Sequence, residues 1–468
     1  MALEFPGYFY DETKRRYFKI EASQTAPASA TWSANAVKKR KAEDAARKAE
    51  RNHALVSCRH VKRHALQRDV VASGLLARET AVVVDDADIA AAAWADSVVS
   101  KGRIPFVPSF ARSGFPNMPC LYVSGDDVKT GLGAVYATLD QETLVSSYIA
   151  TDDDYHIGSH RERGPLHTEM IRCPQMSSIK YHKPSHSVML TSREPDHGCG
   201  LYFFSPPLSD DRDRQPFWLL GETSAYQRLS IHHRHREDWL AFQSTPAPAS
   251  SDLLCIVGTN AGIIRVHANE TLSWIAPPNP EEGVPLPREV FDQDFKQSDH
   301  NVLIAGGRQP RLWLTDLRTP ETEWTYVRHA SSIAHVRSVN PHQVLVGGLQ
   351  SSMCLYDMRF FGRGPNGAKP LVRFPGYCNE AHFQTGWDVN TDLGVVAAAH
   401  DDGTVKLFSL RSGRRLRSRG LDGIRTETPI QALMFQQMPR ERTPSLFVGE
   451  GPVLKKYSFG TLDLDDEA

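Results

Sequence analysis

The sequence predicts an all-β protein, a seven-bladed β-propeller that carries a basic, partly helical N-terminal extension. From about residue 118, short β-rich runs alternate with turn residues, and no long helical pattern occurs. A unit made of an apolar run, a Gly or Asp and a second apolar run occurs seven times. These units lie near residues 125, 191, 258, 306, 347, 399 and 449. Four-stranded propeller blades recur at this spacing when their loops carry insertions, whereas an array of β-sandwiches would not give seven similar hairpins.

The length of 468 residues leaves a segment of chain outside the propeller, because seven blades need only about 300 residues. Composition divides the chain into six segments. They are an aromatic and basic docking segment at residues 1–20, a linker at 21–32, a basic helical arm at 33–70, a linker with short elements at 71–115, the propeller at 116–462 and an acidic tail at 463–468.

The first segment interleaves aromatic with basic residues from Phe5 to Ile20. It predicts a hairpin-like turn with Asp11 and Glu12 near its centre. Exposed aromatic side chains are unfavourable in water, so we expect this segment to dock on the body of the protein or on a partner.

Charge is distributed unevenly, although the net charge is only −1. Residues 1–70 contain 15 basic and 8 acidic residues, and the remainder is mildly acidic. Ser33 is a suitable N-cap for the helical arm, and the cluster Lys38, Lys39, Arg40 and Lys41 is of the nuclear-localisation type. The arm therefore indicates a localisation signal, a nucleic-acid contact or an acidic protein partner, and the alternative is a solvated helix face.

Several functional classes find no support in the sequence. No run of 18 apolar residues and no secretory signal occurs, so we expect no membrane span. The seven cysteines are scattered without a C-x-x-C pair, which favours buried free thiols over disulfides or zinc.

There is no phosphate-binding loop and no G-x-S-x-G elbow. The segments at residues 151–155 and 232–238 are interpreted as polar loops. We expect no catalysis, cofactor or metal. A hydrolase with a propeller fold would need a cluster of carboxylates or histidines along the central channel, and no such cluster is identified from the sequence.

Three successive hairpins end in a related way, and these ends are the candidate binding site. They are Trp313-Leu-Thr-Asp-Leu-Arg318, Leu355-Tyr-Asp-Met-Arg359 and Leu407-Phe-Ser-Leu-Arg411. We expect the aspartates to cap the turn by accepting backbone N–H groups. The arginines leave the strand ends at one rim, where they would form a row suited to the carboxylates of a partner. The alternative is a set of independent surface salt bridges.

These ends resemble the W-D-x-R box of WD-repeat substrate receptors of the cullin-4 RING ubiquitin ligases. Tyr356-Asp-Met-Arg359 is the best match, with Tyr for Trp. Thr315-Asp-Leu-Arg318 lacks the aromatic residue, and Phe408-Ser-Leu-Arg411 lacks the aspartate. Ser409 and Thr315 thus depart from the box and leave open whether all three blades take part.

The segment from Phe5 to Lys19 resembles the P-G-[FY]-[YF]-[FY]-D-x-x-x-[KR]-[KR]-Y-F opening of the fourth family of the damaged-DNA-binding-protein/cullin-4-associated factors. In that family a basic helix and then a propeller follow. The segment from Val123 to Gly133 and the order of the blade ends also fit it. The resemblance spans the chain and is strongest at residues 5–20 and in blades four to six.

The resemblance implies a substrate receptor, without catalytic activity, that docks on the ligase's damaged-DNA-binding adaptor and presents a target protein. It implies adaptor contacts at Asp316, Arg318, Asp357 and Arg359, with Arg411 as a further candidate. The implied N-terminal docking residues are Phe5, Pro6, Gly7, Tyr8, Tyr10, Tyr17 and Phe18. A nuclear location is expected, with the cytoplasm left open. The alternative is a WD-repeat scaffold or chromatin-associated protein whose basic arm binds nucleic acid.

Overall fold

The computed structural model describes residues 8–11, 16–21, 32–39, 41–43, 45–47, 88–107, 116–125, 132–151, 156–159, 166–193, 200–209, 217–230, 240–276, 286–319, 323–361, 368–439 and 441–460. The chain divides into two compact units, residues 1–68 and residues 69–468.

The N-terminal unit contains the predicted hairpin. Strand β1 (Tyr8–Asp11) pairs antiparallel with β2 (Arg16–Lys19), with Phe9 opposite Phe18. Residues 34–39, 41–43 and 45–47 are helical. Ser33 caps this helix as predicted, because its Oγ accepts the N–H of Ala36 at 3.3 Å. The predicted arm at 48–70 lies outside the described residues.

The second unit consists of seven antiparallel sheets, one for each blade of a propeller. The first blade contains β4 (Cys120–Ser124), β5 (Leu132–Thr138), β6 (Thr143–Thr151), β7 (Ile157–Ser159) and β8 (His167–Arg172), the last two pairing with different parts of β6. The second contains β9 (Met176–His182), β10 (Ser187–Ser192), β11 (Leu201–Phe204) and β12 (Gln227–Leu229). The third contains β13 (Ala241–Pro246), β14 (Leu253–Thr259), β15 (Ile263–His267) and β16 (Leu272–Ala276).

The fourth to sixth blades repeat the same up-and-down order. The fourth contains β17 (Val290–Lys296), β18 (Asp299–Gly307), β19 (Arg311–Asp316) and β20 (Thr325–Arg328). The fifth contains β21 (Ile333–Asn340), β22 (Gln343–Gly348), β23 (Met353–Asp357) and β24 (Val372–Arg373). The sixth contains β25 (Trp387–Asn390), β26 (Val395–Ala399), β27 (Val405–Ser409) and β28 (Arg415–Leu416).

The seventh blade closes the ring with a strand from the other end of the unit. It contains β29 (Leu433–Gln436), β30 (Ser445–Glu450), β31 (Val453–Phe459) and, outermost, β3 (Val98–Pro105), which pairs with β31. The predicted start of the propeller at residue 116 is therefore wrong: the linker assigned to 71–115 supplies a blade strand. The seventh sheet thus joins strands from both ends of the unit, and this pairing closes the ring of blades.

The predicted hairpins are confirmed as strand pairs, with one difference in position. In six blades the predicted pair is the second and third strands. In the first blade it is the first and second strands, β4 and β5. The difference arises because the third strand, β6, carries Ser146 and Ser147 in its centre and lacks the apolar run that defines the pattern.

The apolar core lies between neighbouring blades. Between blades five and six, Leu345 and Leu355 pack against Val396 and Phe408, all almost fully buried. A short helix, α1 (Ile89–Asp96), covers the junction of the last two blades. Its Trp94 packs in their core, with its ring 5.7 Å from that of Phe435.

Two further expectations concern the cysteines and membrane-spanning helices. All five described cysteines are free, and all but Cys378 are buried, as expected. No helix among the described residues is long and apolar enough to cross a membrane.

Candidate partner interface

The blade-end arginines follow three equivalent strands in consecutive blades. Asp316, Asp357 and Ser409 are the last residues of β19, β23 and β27, the third strands of blades four, five and six. Equivalent strands run in the same direction around a propeller. The arginine two residues after each strand therefore emerges at the same rim, which we call the arginine rim.

Asp316 and Arg318 form an ion pair with two hydrogen bonds at the first of these ends, and we call such a pair an Asp–Arg fork. The carboxylate oxygen Oδ1 of Asp316 accepts the backbone N–H of Arg318 at 3.0 Å, which ends the strand in a turn. The guanidinium returns to the same carboxylate, with Nε donating to Oδ1 at 2.8 Å and Nη2 to Oδ2 at 2.5 Å. Hydrogen bonds from Arg318 hold the pKa of Asp316 down at about 2, so the fork is charged throughout the physiological range.

Asp357 and Arg359 repeat the fork at the next blade. Asp357 accepts the backbone N–H of Arg359 at 3.0 Å, and Nη2 of Arg359 donates to its Oδ2 at 2.6 Å. The Asp357 side chain is 5% exposed, whereas that of Arg359 is 61% exposed. The arginine thus projects from a buried anchor, with its guanidinium carbon 6.0 Å from the centre of the Phe360 ring.

The third end keeps the cap but not the fork. Ser409 Oγ accepts the N–H groups of Arg411 and Ser412, each at 3.2 Å, and donates to the carboxylate of Asp88. Asp88 precedes helix α1, so another part of the chain supplies the carboxylate that Ser409 lacks. Arg411 is exposed, and its guanidinium forms no ion pair with any residue in the described ranges. No local sequence signal connects Asp88 with this blade, and the sequence prediction missed it.

These forks decide what the rim can bind. An arginine has five N–H donors in one plane, and each fork occupies the edge that carries Nε and one Nη2 hydrogen. Nη2 of Arg318 also donates to Oδ2 of Asp299 at 3.5 Å. The side chains of Arg318 and Arg359 are nevertheless 61% exposed, so further donors of both guanidinium groups are accessible to a partner. The aspartate also restricts the arginine rotamer, so less side-chain entropy is lost when a partner carboxylate binds. The predicted cap is confirmed. Each fork is also a surface ion pair within the chain, which is the alternative that the sequence left open, although the partner of each arginine was not predicted.

The N-terminal docking residues are only partly described. Tyr8 and Tyr17 are 50% and 39% exposed on the hairpin. The ring of Phe18 stacks on that of Trp32, with centroids 4.7 Å apart. Tyr10 is described by its backbone in β1 alone, and Phe5, Pro6 and Gly7 lie outside the described residues.

The basic cluster lies on the helical arm. Lys38, Lys39 and Lys41 are exposed there, and Lys39 is 4.0 Å from Glu43, while Arg40 lies outside the described residues. Exposed lysines on one helix suit both a solvated face and an acidic ligand.

The central channel holds charged residues that were not identified from the sequence. The first strands of the blades line it and bring Asp292, Asp388 and His335 together with Lys180 and Arg337. None of these residues was identified from the sequence, because they lie in different blades far apart in sequence.

The channel carboxylates connect neighbouring blades. Asp292 in the fourth blade accepts the N–H of Val336 in the fifth at 2.8 Å, and Asp388 in the sixth accepts that of Phe435 in the seventh at 2.7 Å. Arg337 lies 3.5 Å from Asp388. Burial raises the pKa of Asp292 to about 6, despite the opposing effects of Arg337 and the Val336 N–H. These contacts give both carboxylates a role in holding blades together.

The chain is similar to one known protein in part of its sequence and to another in structure. No protein-family model matches the chain. WD repeat-containing protein 21 of Schizosaccharomyces pombe is 27% identical over 122 residues, which are 26% of this chain and only 28% of that protein. The crystal structure of the WD40 β-propeller domain of Doa1 aligns with a TM-score of 0.48 and 10% identity, covering 77% of this chain and 98% of that one. With seven antiparallel sheets of four or five strands in its second unit, the chain is a seven-bladed β-propeller.

Proposed function

We propose that this propeller is a substrate receptor of a cullin-4 RING ubiquitin ligase. It docks on the damaged-DNA-binding adaptor through the arginine rim and the N-terminal arm, and it presents a target protein for ubiquitylation in the nucleus. A WD-repeat propeller is a fold typical of protein–protein interaction, and the further step to this ligase is supported by the resemblance of the blade ends and of residues 5–19. The observation that carries the proposal is the pair of Asp–Arg forks on adjacent blades.

The proposed mechanism involves no bond chemistry by the receptor itself. The exposed guanidinium groups of Arg318 and Arg359 donate to carboxylates of the adaptor. Desolvated bidentate arginine contacts commonly dominate the affinity of an interface. A target held by the same receptor is then close to the activated ubiquitin, which raises the effective concentration of its lysines.

The test is co-purification of the cullin-4 adaptor with the full chain and with Arg318→Ala/Arg359→Ala. We expect the wild type to bind the adaptor and the double variant to bind it at least about tenfold more weakly. Circular dichroism and the thermal midpoint of each protein establish that both are folded.

The matched control removes two exposed arginines that lie away from the arginine rim. Arg308 pairs with Glu289, and Arg228 lies over the Tyr202 ring, so Arg308→Ala/Arg228→Ala makes the same charge change. The proposal would be contradicted if both double variants lost adaptor binding equally, or if the wild type bound no adaptor at low salt. In that case steeply salt-dependent binding of DNA or RNA by the exposed arm lysines would favour the scaffold alternative.

A further inference from the structure

A cavity of about 130 Å3 opens at one end of the central channel, and we call it the mouth cavity. Residues at or next to the starts of the first blade strands line it, among them Cys120, Ser177 and Phe242. The first and third strands of a blade run in the same direction. Because the arginine rim is at the ends of the third strands, the mouth cavity lies at the opposite rim.

Three phenylalanines from separate parts of the chain form one wall of the mouth cavity. Phe291 stacks on Phe383 with ring centroids 4.7 Å apart, and Phe242 meets both rings edge-on, at 5.1 Å and 5.8 Å. Phe242 and Phe383 are partly exposed, whereas Phe291 is buried. The wall therefore offers apolar surface to a molecule that enters the cavity.

The charged groups of the mouth cavity are mostly cationic. Lys180, Arg193 and Arg337 line it, against the single carboxylate of Asp292. His335 also lines it, but burial lowers its pKa to about 3 and it carries no charge at neutral pH. Further along the channel, Lys180 and Arg337 are balanced by Asp292 and Asp388, so the positive excess is confined to the mouth.

Lys180 and Arg193 make no direct contact with a carboxylate of a described residue, although Asp292 and Asp388 attract Lys180 from a greater distance. Arg337 is held by Asp388, but neither Lys180 nor Arg193 forms a hydrogen bond or ion pair through its side chain with any residue that the structure describes. The Nε atom of Arg193 is buried without an acceptor, and its guanidinium carbon lies 5.3 Å from the centre of the Phe383 ring. An unpaired buried donor is costly to folding, so a ligand that supplies an acceptor here is favoured.

We propose that the mouth cavity binds a carboxylate side chain of an acidic peptide segment from a partner protein, between Lys180 and Arg193, with an adjacent apolar side chain against the phenylalanine wall. The charge excess and the unpaired guanidinium select an anion, and the aromatic wall favours a peptide over a bare ion. The cavity volume suits one inserted side chain. This site does not depend on the ligase proposal, because it occupies the rim opposite the arginine forks.

The experiment selects peptides from a random display library on the immobilised full chain at neutral pH, in parallel with Arg193→Gln and Lys180→Met. We expect the wild type to enrich peptides that carry Asp or Glu beside an apolar residue. The dissociation constant of the best of these, measured by fluorescence anisotropy, should rise by about tenfold or more in Arg193→Gln. Arg193→Lys keeps the charge and should recover part of the affinity.

Two controls separate this site from other surfaces. Arg228→Gln removes a guanidinium from above an aromatic ring, Tyr202 at 5.4 Å, outside the mouth cavity, and should not change peptide affinity. The double variant Arg318→Ala/Arg359→Ala, which is the test of the ligase proposal, alters the opposite rim. It should therefore select the same peptides as the wild type. Enrichment of peptides without acidic residues, equal enrichment by wild type and folded Arg193→Gln, or binding of inorganic phosphate with no peptide selected would overturn the inference.

Discussion

At two blade ends a single aspartate both ends the strand and fixes the arginine that follows. Asp316 and Asp357 accept a backbone N–H and also hold the guanidinium two residues later. The cap was predictable, because Asp is common where a strand enters a turn. The fork was not, because the direction taken by an exposed arginine depends on a rotamer that sequence spacing does not determine.

A buried ion pair in the seventh blade gives the first residue-scale prediction. Lys456 donates to Glu441, and their side chains are 0% and 1% exposed. Ser445 Oγ donates to the same carboxylate at 2.7 Å. Lys456→Met leaves a buried carboxylate without its cation, so we expect the free energy of unfolding in urea to fall by about 3–5 kcal/mol.

An exposed pair provides the contrast for that measurement. Arg308→Met removes the partner of Glu289 at the surface and should cost less than about 1 kcal/mol. Adding Glu441→Leu to Lys456→Met removes the uncompensated charge and should recover part of the loss. An equal loss of unfolding free energy in Lys456→Met and Arg308→Met would contradict the prediction that burial determines the contribution of the ion pair.

At the scale of elements, the closing strand β3 depends on one glycine. The pairing of β3 with β31 shifts register between Ser100 and Arg103, and Gly102 lies in that bulge with a φ of +94°. A Cβ at Gly102 would lie 2.3 Å from the carbonyl oxygen of Ile157 in the first blade. Only glycine fits both the left-handed backbone and the close approach.

Gly102→Ala should therefore weaken the closure of the ring. We expect the free energy of unfolding to fall by roughly 2–4 kcal/mol, from backbone strain and crowding together. Gly158→Ala, one residue beyond Ile157, is the matched control, since a Cβ there meets nothing within 4 Å. Chemical denaturation followed by circular dichroism measures both, and a Gly102→Ala protein as stable as the control would contradict this account.

The sequence predicted most blades but not the strand that closes them. Second and third strands such as β22 and β23 are local hairpins with continuous apolar runs, and local patterns identify them. The closing strand contains Ser100, Lys101 and Gly102 and has no such run, and its partner is more than 300 residues away. The charged residues of the channel were missed because they too come from distant parts of the sequence. Each blade contributes only one or two of them.

For the whole molecule, buried histidines predict a loss of stability in acid. Burial lowers the pKa of His335 to about 3 and those of His329 and His400 to about 4, from an ordinary 6.5. Below pH 6.5 the unfolded chain binds protons that the folded chain does not, so the free energy of unfolding decreases as the pH falls. Each histidine should contribute roughly 2 kcal/mol between pH 6.5 and 5.

The opposing groups are the channel carboxylates Asp292 and Asp294, whose pKa values are raised by burial and which bind protons more readily in the folded state. Three histidines outweigh them, and we expect the thermal midpoint to be lower at pH 5 than at pH 7. His400→Gln removes one of the three buried histidines and should make this dependence shallower. A midpoint independent of pH in the wild type would contradict the prediction.

Strand β3 is made long before the strand that completes its sheet. Roughly 350 residues separate it from β31, and at about 5–20 residues per second their synthesis takes tens of seconds. Until then β3 has no partner, and a translation product that stops within the seventh blade never acquires one. Unpaired strand edges promote aggregation and recognition by chaperones. Ring closure thus distinguishes completed polypeptides from truncated ones, because only a chain translated through Phe459 can form the full seventh sheet.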